Sequence, residues 1–402
     1  MNVQPMAERI GILALVPDRW GGPWQPRHQV LTRLSRYFPV VWVEPPEEWR
    51  KLWLARSSLE RSNRLAAEPT LPNFTLQRAD KWLPKFYKPK LLDNFVAHVR
   101  LRKAYRVLKK QGCRRIILYI WRPDFDEALD LVDYDLSCFH IDDEYSFSTV
   151  EKPLDDREAN LIKRVDQVFI HSPGLLDKKG HLNPNTLWIP NGVDFDRYAA
   201  PASEPSDLAA IPHPRMGYVG MIQTTVDFQL LSTIADQRSD WSFVFVGPRW
   251  TLTEEDEYWI QSLSQKPNCY FLGGKPVEVL PAYTQHFDVC MMPYKRNGYT
   301  NLIYPLKLHE YLASGRPAVG TPIRSLQDYS HLIELAATCD QWHHALAKAL
   351  DANESCQDRL DARRSAARQH DWNNIVQRIA NSMCTGLDTY PVSFNSRLAY
   401  TR

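Results

Sequence analysis

Residues 304–321 read YPLKLHEYLASGRPAVGT, and the rest of the chain is organised around this stretch. Pro305 suits the first position of a helix, where its missing N–H is not needed. Leu306, Leu308, Tyr311 and Leu312 recur at helical spacing. Gly315 supplies the stop, because helices commonly end in a left-handed residue that Gly adopts cheaply. Residues 317–320 then read as a short buried strand. Two charges interrupt the apolar run. Lys307 lies in the first turn and Glu310 three residues later, on the same side. A helix N-terminus carries partial positive charge and unpaired N–H groups that suit phosphate. Lys307 adds a full charge there, and Glu310 suits sugar hydroxyls. The pattern predicts a ligand with phosphate at one end and ribose at the other. An ordinary amphipathic helix with a surface Lys–Glu pair fits the same window, so the surroundings must decide.

The surroundings alternate strand and helix, twice. Residues 10–16 read as a buried strand, with Gly21 and Gly22 in the loop behind it, then a helix over 27–37 and a strand over 40–43. That start suits a doubly wound fold, although Gly21 and Gly22 lack the G-x-G-x-x-G spacing. Residues 44–90 read as irregular, basic and aromatic, with Trp49, Trp53, Trp82, Phe86 and Tyr87 among the cations. A basic helix over 91–111 follows, then a strand over 116–120, a helix over 122–131 and a strand over 136–141. The last runs into His140, Asp142 and Asp143, and polar residues at a strand's carboxyl end mark the ligand edge of an open parallel sheet. His140 taken singly reads more readily as a hydrogen-bonded core histidine. Ser172 caps a helix after a strand over 167–171. Residues 199–214, rich in Ala, Pro and Ser, read as a linker between a first domain over 1–198 and a second over 215–385, with a tail over 386–402. The second unit restarts with strands over 215–219, 241–246, 269–272 and 288–292. A helix over 358–383, broken near His370, Asp371 and Trp372, closes it.

The 402 residues are 44% hydrophobic and 24% charged, as in globular proteins, and no apolar run is long enough to span a bilayer. Seven scattered Cys without a CxxC pair point to reduced thiols and a cytoplasmic setting, with Cys138 and Cys290 in core-like runs. Net charge is +2, yet residues 50–115 hold 18 Lys and Arg against 4 Asp and Glu. Cations beside Trp suit an anionic membrane surface at the inner face of the cell membrane. A solvated cationic face fits equally, and nothing resembles a nucleic-acid module, so no nucleic-acid partner is expected.

The stretch over 304–321 resembles the nucleotide-sugar-binding helix of the retaining family-four glycosyltransferases, which have the GT-B architecture. Their pattern is two Glu separated by seven residues, then a Gly-Pro/Lys-Pro-Val-Val strand entry. Glu310 matches the second Glu and residues 315–319 the strand entry, while Leu302 stands where the first Glu belongs. Residues 305–313 also resemble a polysaccharide-biosynthesis subgroup with a Pro-Leu-Lys-x-x-Glu-Tyr-Leu-Ala motif. The string Pro190-Asn191-Gly192-Val193-Asp194 resembles the segment that closes the first domain.

The resemblance implies two Rossmann-like domains facing a central cleft, with the last helix returning to the first domain. It implies transfer of a sugar from a nucleotide-sugar to a saccharide or polyprenyl-linked acceptor, with retention and without metal or other cofactor. Donor contacts then fall to Glu310, Pro305, Leu306, Gly220, Met221, Asn297, Thr300 and Arg249. Catalytic roles fall to Lys307, Asp143 and His140, the Asp143 assignment resting on the subgroup's Tyr-Asp-x-x-Asp-Asp run. Acceptor contacts fall to Gly21, Gly22 and Asp142. Many relatives carry an Arg and a Lys in the loop after Gly220, where this chain has neither and offers backbone N–H groups around Gly220 and Met221, with Thr224 and Thr225; Lys307, Arg249, Lys295 and Arg296 are the compensating candidates. That departure keeps open a binding or scaffold protein of weak activity, and the architecture also admits a nucleotide-sugar 2-epimerase.

Overall fold

The computed structural model describes residues 9–22, 24–48, 70–80, 82–86, 88–146, 153–351 and 353–388. Trp49, Trp53 and Tyr87 of the basic stretch, and a tail from residue 389, lie outside them. Long apolar runs set the architecture, because a parallel strand is covered on both faces and must be apolar throughout. Seven strands build the first sheet: β1 (Ile10–Leu15), β2 (Val40–Val43), β3 (Phe74–Gln77), β4 (Arg115–Ile120), β5 (Leu136–Ile141), β6 (Gln167–Ile170) and β7 (Thr186–Trp188). They are ordered β3-β2-β1-β4-β5-β6-β7, with every pairing parallel. Six more build the second: β8 (Arg215–Val219), β9 (Ser242–Val246), β10 (Cys269–Gly273), β11 (Val289–Met292), β12 (Ala318–Gly320) and β13 (Glu334–Leu335). Their order, β10-β9-β8-β11-β12-β13, repeats that of the first six, again all parallel. The chain is therefore an α/β protein of two doubly wound, Rossmann-like domains in the GT-B arrangement. Each sheet reverses its winding beside its first strand, between β1 and β4 and between β8 and β11, and ligands bind at that point in open sheets.

The helices that matter below are α1 (Pro26–Leu34), α2 (Lys90–Lys110), α3 (Asp156–Arg164), α4 (Pro173–Lys179), α5 (Leu306–Ser314), α6 (Gln357–Gln369) and α7 (Trp372–Gly386). The break between α6 and α7 lets α7 return to the first domain. Trp372, Ile375, Val376, Ile379 and Met383 join one core with Ile12, Val30, Trp42 and Tyr119. The Asn191–Asp194 string meets that break: Val193 N donates to His370 O at 3.0 Å and Trp372 N to Val193 O at 3.0 Å. Gly192 has no room for a side chain there, since an added Cβ would lie 2.7 Å from His370 O. Cys138 and Cys290 are fully buried.

Several local expectations need correction. The stretch over 44–90 holds a strand, β3, at the edge of the first sheet. Its FTLQ sequence is short, and Thr75 and Gln77 hide it from an apolar-run test. The helix expected over 122–131 splits into a 3₁₀ turn at Pro123–Phe125 and a short helix at Ala128–Leu131. Pro305 caps α5 instead of opening it, with extended backbone at φ −66° and ψ 126°. The stretch over 199–214 is folded onto the second domain through a short helix, Ser206–Ala209, with Leu208 and Ile211 in its core.

Trp372 is 2% exposed where α7 docks. Trp372→Ala should lower unfolding stability by about 3–5 kcal/mol, the usual cost of truncating a buried Trp, measured by urea titration.

Candidate functional site

A cleft of about 730 Å³ opens between the two sheets' carboxyl edges. Its first-domain wall comes from the loops after β1, β4, β5 and β6: Gly22, Trp24 to Arg27, Arg122, Asp142, Asp143 and His171. Its second-domain wall comes from the loops after β8 to β11 and the start of α5: Gly220, Met221, Thr225, Lys275, Tyr294, Tyr299, Pro305, Leu306, Lys307 and Glu310.

The second-domain wall is built on close backbone approach. Gly220 and Gly247 end β8 and β9 with φ of 145° and 154°, a left-handed range that side chains rarely adopt. A Cβ on Gly247 would lie 1.9 Å from Gly220 O, and one on Gly220 would lie 3.0 Å from Lys307 Nζ. The bare backbone thus lets the ammonium reach the strand end. Lys307 Nζ lies 4.8 Å from the Tyr218 ring centre and 5.4 Å from that of Tyr294, and donates to the Tyr294 hydroxyl at 3.1 Å. Ring faces attract such a cation. Glu310, one turn on, lines the same wall. Burial pushes its carboxyl pKa up, partly offset by Lys307. The buried Tyr198 hydroxyl sits beside this carboxylate without a hydrogen bond of normal geometry. Gly315 ends α5 in the left-handed conformation, φ 78°, as its sequence position predicts.

The first-domain wall is a hydrogen-bonded acid pair. Arg27 donates to Asp18 and Asp142, and the Tyr145 hydroxyl donates to Asp142 at 2.9 Å. Asp143 accepts from Glu144 N at 2.8 Å and, across the cleft, from the Tyr299 hydroxyl at 2.9 Å. Burial and then Asp142 raise the Asp143 pKa, against those two donors. A buried cluster supports this loop. Lys179 Nζ of α4 meets Glu144 at 3.1 Å and Glu158 of α3 at 2.6 Å, all three side chains fully enclosed. Two further bonds tie the walls together: Ser172 Oγ to Leu302 O at 2.6 Å and Asn191 Nδ2 to Tyr304 O at 2.7 Å.

The structure brings together Gly22, Asp142, Asp143, Gly220, Met221, Pro305, Leu306, Lys307 and Glu310 of the expected residues. It separates the others. His140 lies behind the wall, 3% exposed, stacked on Trp121 at 4.1 Å with its Nδ1 2.7 Å from the Tyr119 hydroxyl. Burial holds its pKa well below the usual histidine value. Gly21 does not line the cleft, and Asn297 and Thr300 bond to one another, Thr300 N donating to Asn297 Oδ1 at 2.9 Å. Arg249 faces Glu257 at 3.2 Å, Lys295 pairs with Asp256 at 2.6 Å, and Arg296 is exposed outside the cleft. The cleft's other cations, Arg27, Arg122 and Lys275, carry no motif in the sequence.

Residues 213–352 match the family described as "Glycosyl transferases group 1". A curated relative, "Putative teichuronic acid biosynthesis glycosyltransferase TuaH" of Bacillus subtilis, is 30% identical over 247 residues. That match spans 57% of this chain and 59% of the relative's length. Among solved structures, one titled "Trehalose-6-phosphate synthase. OtsA" aligns over 95% of this chain and 99% of its own, with TM-score 0.66 and 12% identity. A glycosyltransferase from Rickettsia africae aligns over 95% and 99%, with TM-score 0.65 and 11% identity. An E. coli structure titled as trehalose-6-phosphate bound with UDP-2-fluoro glucose aligns over 96% and 100%, with TM-score 0.63 and 12% identity. At these identities the structures speak for the two-domain fold alone.

Trp24, at the cleft, stacks on His28 with ring centres 4.8 Å apart. Buried His28 accepts from Gln25 N at 3.1 Å and has its pKa lowered to about 4, chiefly by burial. The unfolded chain takes up this proton near pH 6.5, whereas the folded chain refuses it until about pH 4. Stability should therefore fall as pH drops from 6.5 to 4, with His28 costing on the order of 3 kcal/mol at the acid end. His28→Gln should flatten that part of a stability-versus-pH curve.

Proposed function

We propose that the protein is a glycosyltransferase that moves a sugar from a nucleotide-sugar donor to a saccharide or polyprenyl-linked acceptor in polysaccharide synthesis. The observation that carries this reading is the wall formed by Gly220, Lys307 and Glu310, which lies inside the region matching the group 1 family. The donor diphosphate sits against Gly220 and the first turn of α5, where Lys307 and unpaired N–H groups oppose its charge. Glu310 holds the ribose hydroxyls. Negative charge grows on the leaving diphosphate as the bond to the anomeric carbon breaks, and a preformed cation there lowers the barrier. The acceptor enters against Asp142, Asp143 and Arg27. The transfer retains configuration, needs no metal, and uses a donor phosphate oxygen to take the acceptor proton. The polysaccharide setting accords with the printed name of the B. subtilis relative.

A second reading, a nucleotide-sugar-binding protein of weak turnover, is favoured by the loop after β8, which carries no Arg or Lys from Gly220 to Thr225. Nucleotide release from UDP-, GDP- and ADP-sugars separates the two. We expect release from one donor class, unchanged by a chelator. Micromolar binding without release from any donor selects the second reading, and loss of release with chelator overturns metal independence. Glu310→Ala should weaken nucleotide affinity about tenfold or more, as when two hydrogen bonds are lost. Unchanged affinity, measured calorimetrically, removes Glu310 from the donor site.

A further inference from the structure

Helix α2 carries one Asp against seven Lys and Arg. Val96, Leu101, Ala104 and Leu108 bury its inner face. The outer face changes character along its length. Leu91, Leu92 and Phe95 are exposed at its start, and Arg102, Lys103, Arg106, Lys109 and Lys110 are exposed at its end. Positions 91, 95, 102, 106 and 109 follow helical spacing, so the apolar tip and the cations share one face. Leu91 is 84% exposed and Phe95 62%. The segment before α2 runs back along it: Asp80 approaches Lys103 at 3.9 Å, and Phe86 N donates to Asp93 at 2.9 Å. Between those contacts stands Trp82, 90% exposed. Among the described residues, four of the eight exposed large hydrophobics fall between Trp82 and Phe95.

The position of this tip matters as much as its composition. Leu108 packs where β1 starts, at Gly11, while Ala97, Arg100 and Leu101 share a small cavity with Leu15 and Glu44, where β1 and β2 end. The first turns of α2 therefore run on past the carboxyl edge of the sheet, by roughly 10 Å at 1.5 Å per residue. That is the edge on which the cleft opens.

We propose that Trp82, Leu91, Leu92 and Phe95, with the cations of the same α2 face, form a docking surface for an anionic lipid bilayer. The apolar side chains enter the headgroup boundary and Arg102, Arg106 and Lys109 meet anionic headgroups. Charge complementarity selects this occupant over an apolar protein partner, because the tip is continuous with a cationic stripe. Docking by this tip turns the mouth of the cleft toward the lipid, so an acceptor carried on a lipid reaches the site without leaving the membrane. That consequence rests on the sugar-transfer reading above; the surface itself does not.

The test is co-sedimentation of the full chain with phosphatidylcholine vesicles, with and without phosphatidylglycerol, at low and high salt. The expected result is binding that needs phosphatidylglycerol and weakens with salt. Leu91→Asp with Phe95→Asp should reduce it about tenfold or more. Arg102→Ala and Arg106→Ala should each reduce it about fivefold. Nucleotide affinity of the same variants should be unchanged, which keeps a failure of this proposal distinct from a failure of the cleft assignment and shows that the variants fold. Failure of the wild-type chain to bind anionic vesicles, or equal binding by the Leu91/Phe95 variant, overturns the proposal. So does a concentration-dependent dimer abolished by Phe95→Asp without lipid, which gives the face to a second copy.

Discussion

Two peptide strands meet at the floor of the cleft with no side chain between them, and the candidate site depends on that approach. Gly247 presses on the Gly220 carbonyl, and Gly220 in turn leaves the Lys307 ammonium room to lie over two tyrosine rings. The rings and the Tyr294 hydroxyl fix the cation while leaving it on the cleft lining. A Cβ at either glycine would force the strand end or the lysine to move. The lysine, the helix start and Glu310 are thereby held as one rigid unit on α5. Its outer end is locked by the left-handed turn at Gly315.

The opposite wall is held differently, by charge. Asp142 and Asp143 follow β5 directly, and burial together with the neighbouring Asp142 raises the Asp143 pKa. Arg27 and Tyr145 serve Asp142, while Tyr299 reaches Asp143 from the second domain. Beneath them, Lys179 is enclosed between Glu144 and Glu158. Removing Lys179 would leave the buried Glu158 without its cation, a cost of several kcal/mol. The acid pair therefore has little freedom to move alone.

Much of this architecture is legible in the sequence because parallel strands favour unbroken apolar runs, which residues 40–43 and 116–120 supply. The helix Leu306–Ser314 is legible for local reasons: spacing, a proline before it and a glycine after it. Less legible is whatever the third dimension decides. Strand β3 is four residues with polar partners, and its pairing to β2 makes it a strand. Asn297 and Thr300 look like ligand-binding residues but satisfy each other. His140 sits at a strand end, yet the β5 alternation turns it toward Trp121 and Tyr119. Arg122 and Lys275 reach the cleft from loops with no motif, and only the meeting of two sheets reveals them.

The return of α7 has a consequence for how the chain is made. The face of the first sheet that carries Ile12, Trp42 and Tyr119 is covered by Trp372, Ile375, Ile379 and Met383, which come from the far end of the polypeptide. A ribosome delivers all thirteen strands of the described residues before it delivers that cover. The earlier-born half must therefore wait, with an apolar face unclosed, while the later-born half is synthesised and folds. Nascent chains thus present this apolar face until α7 emerges to close it.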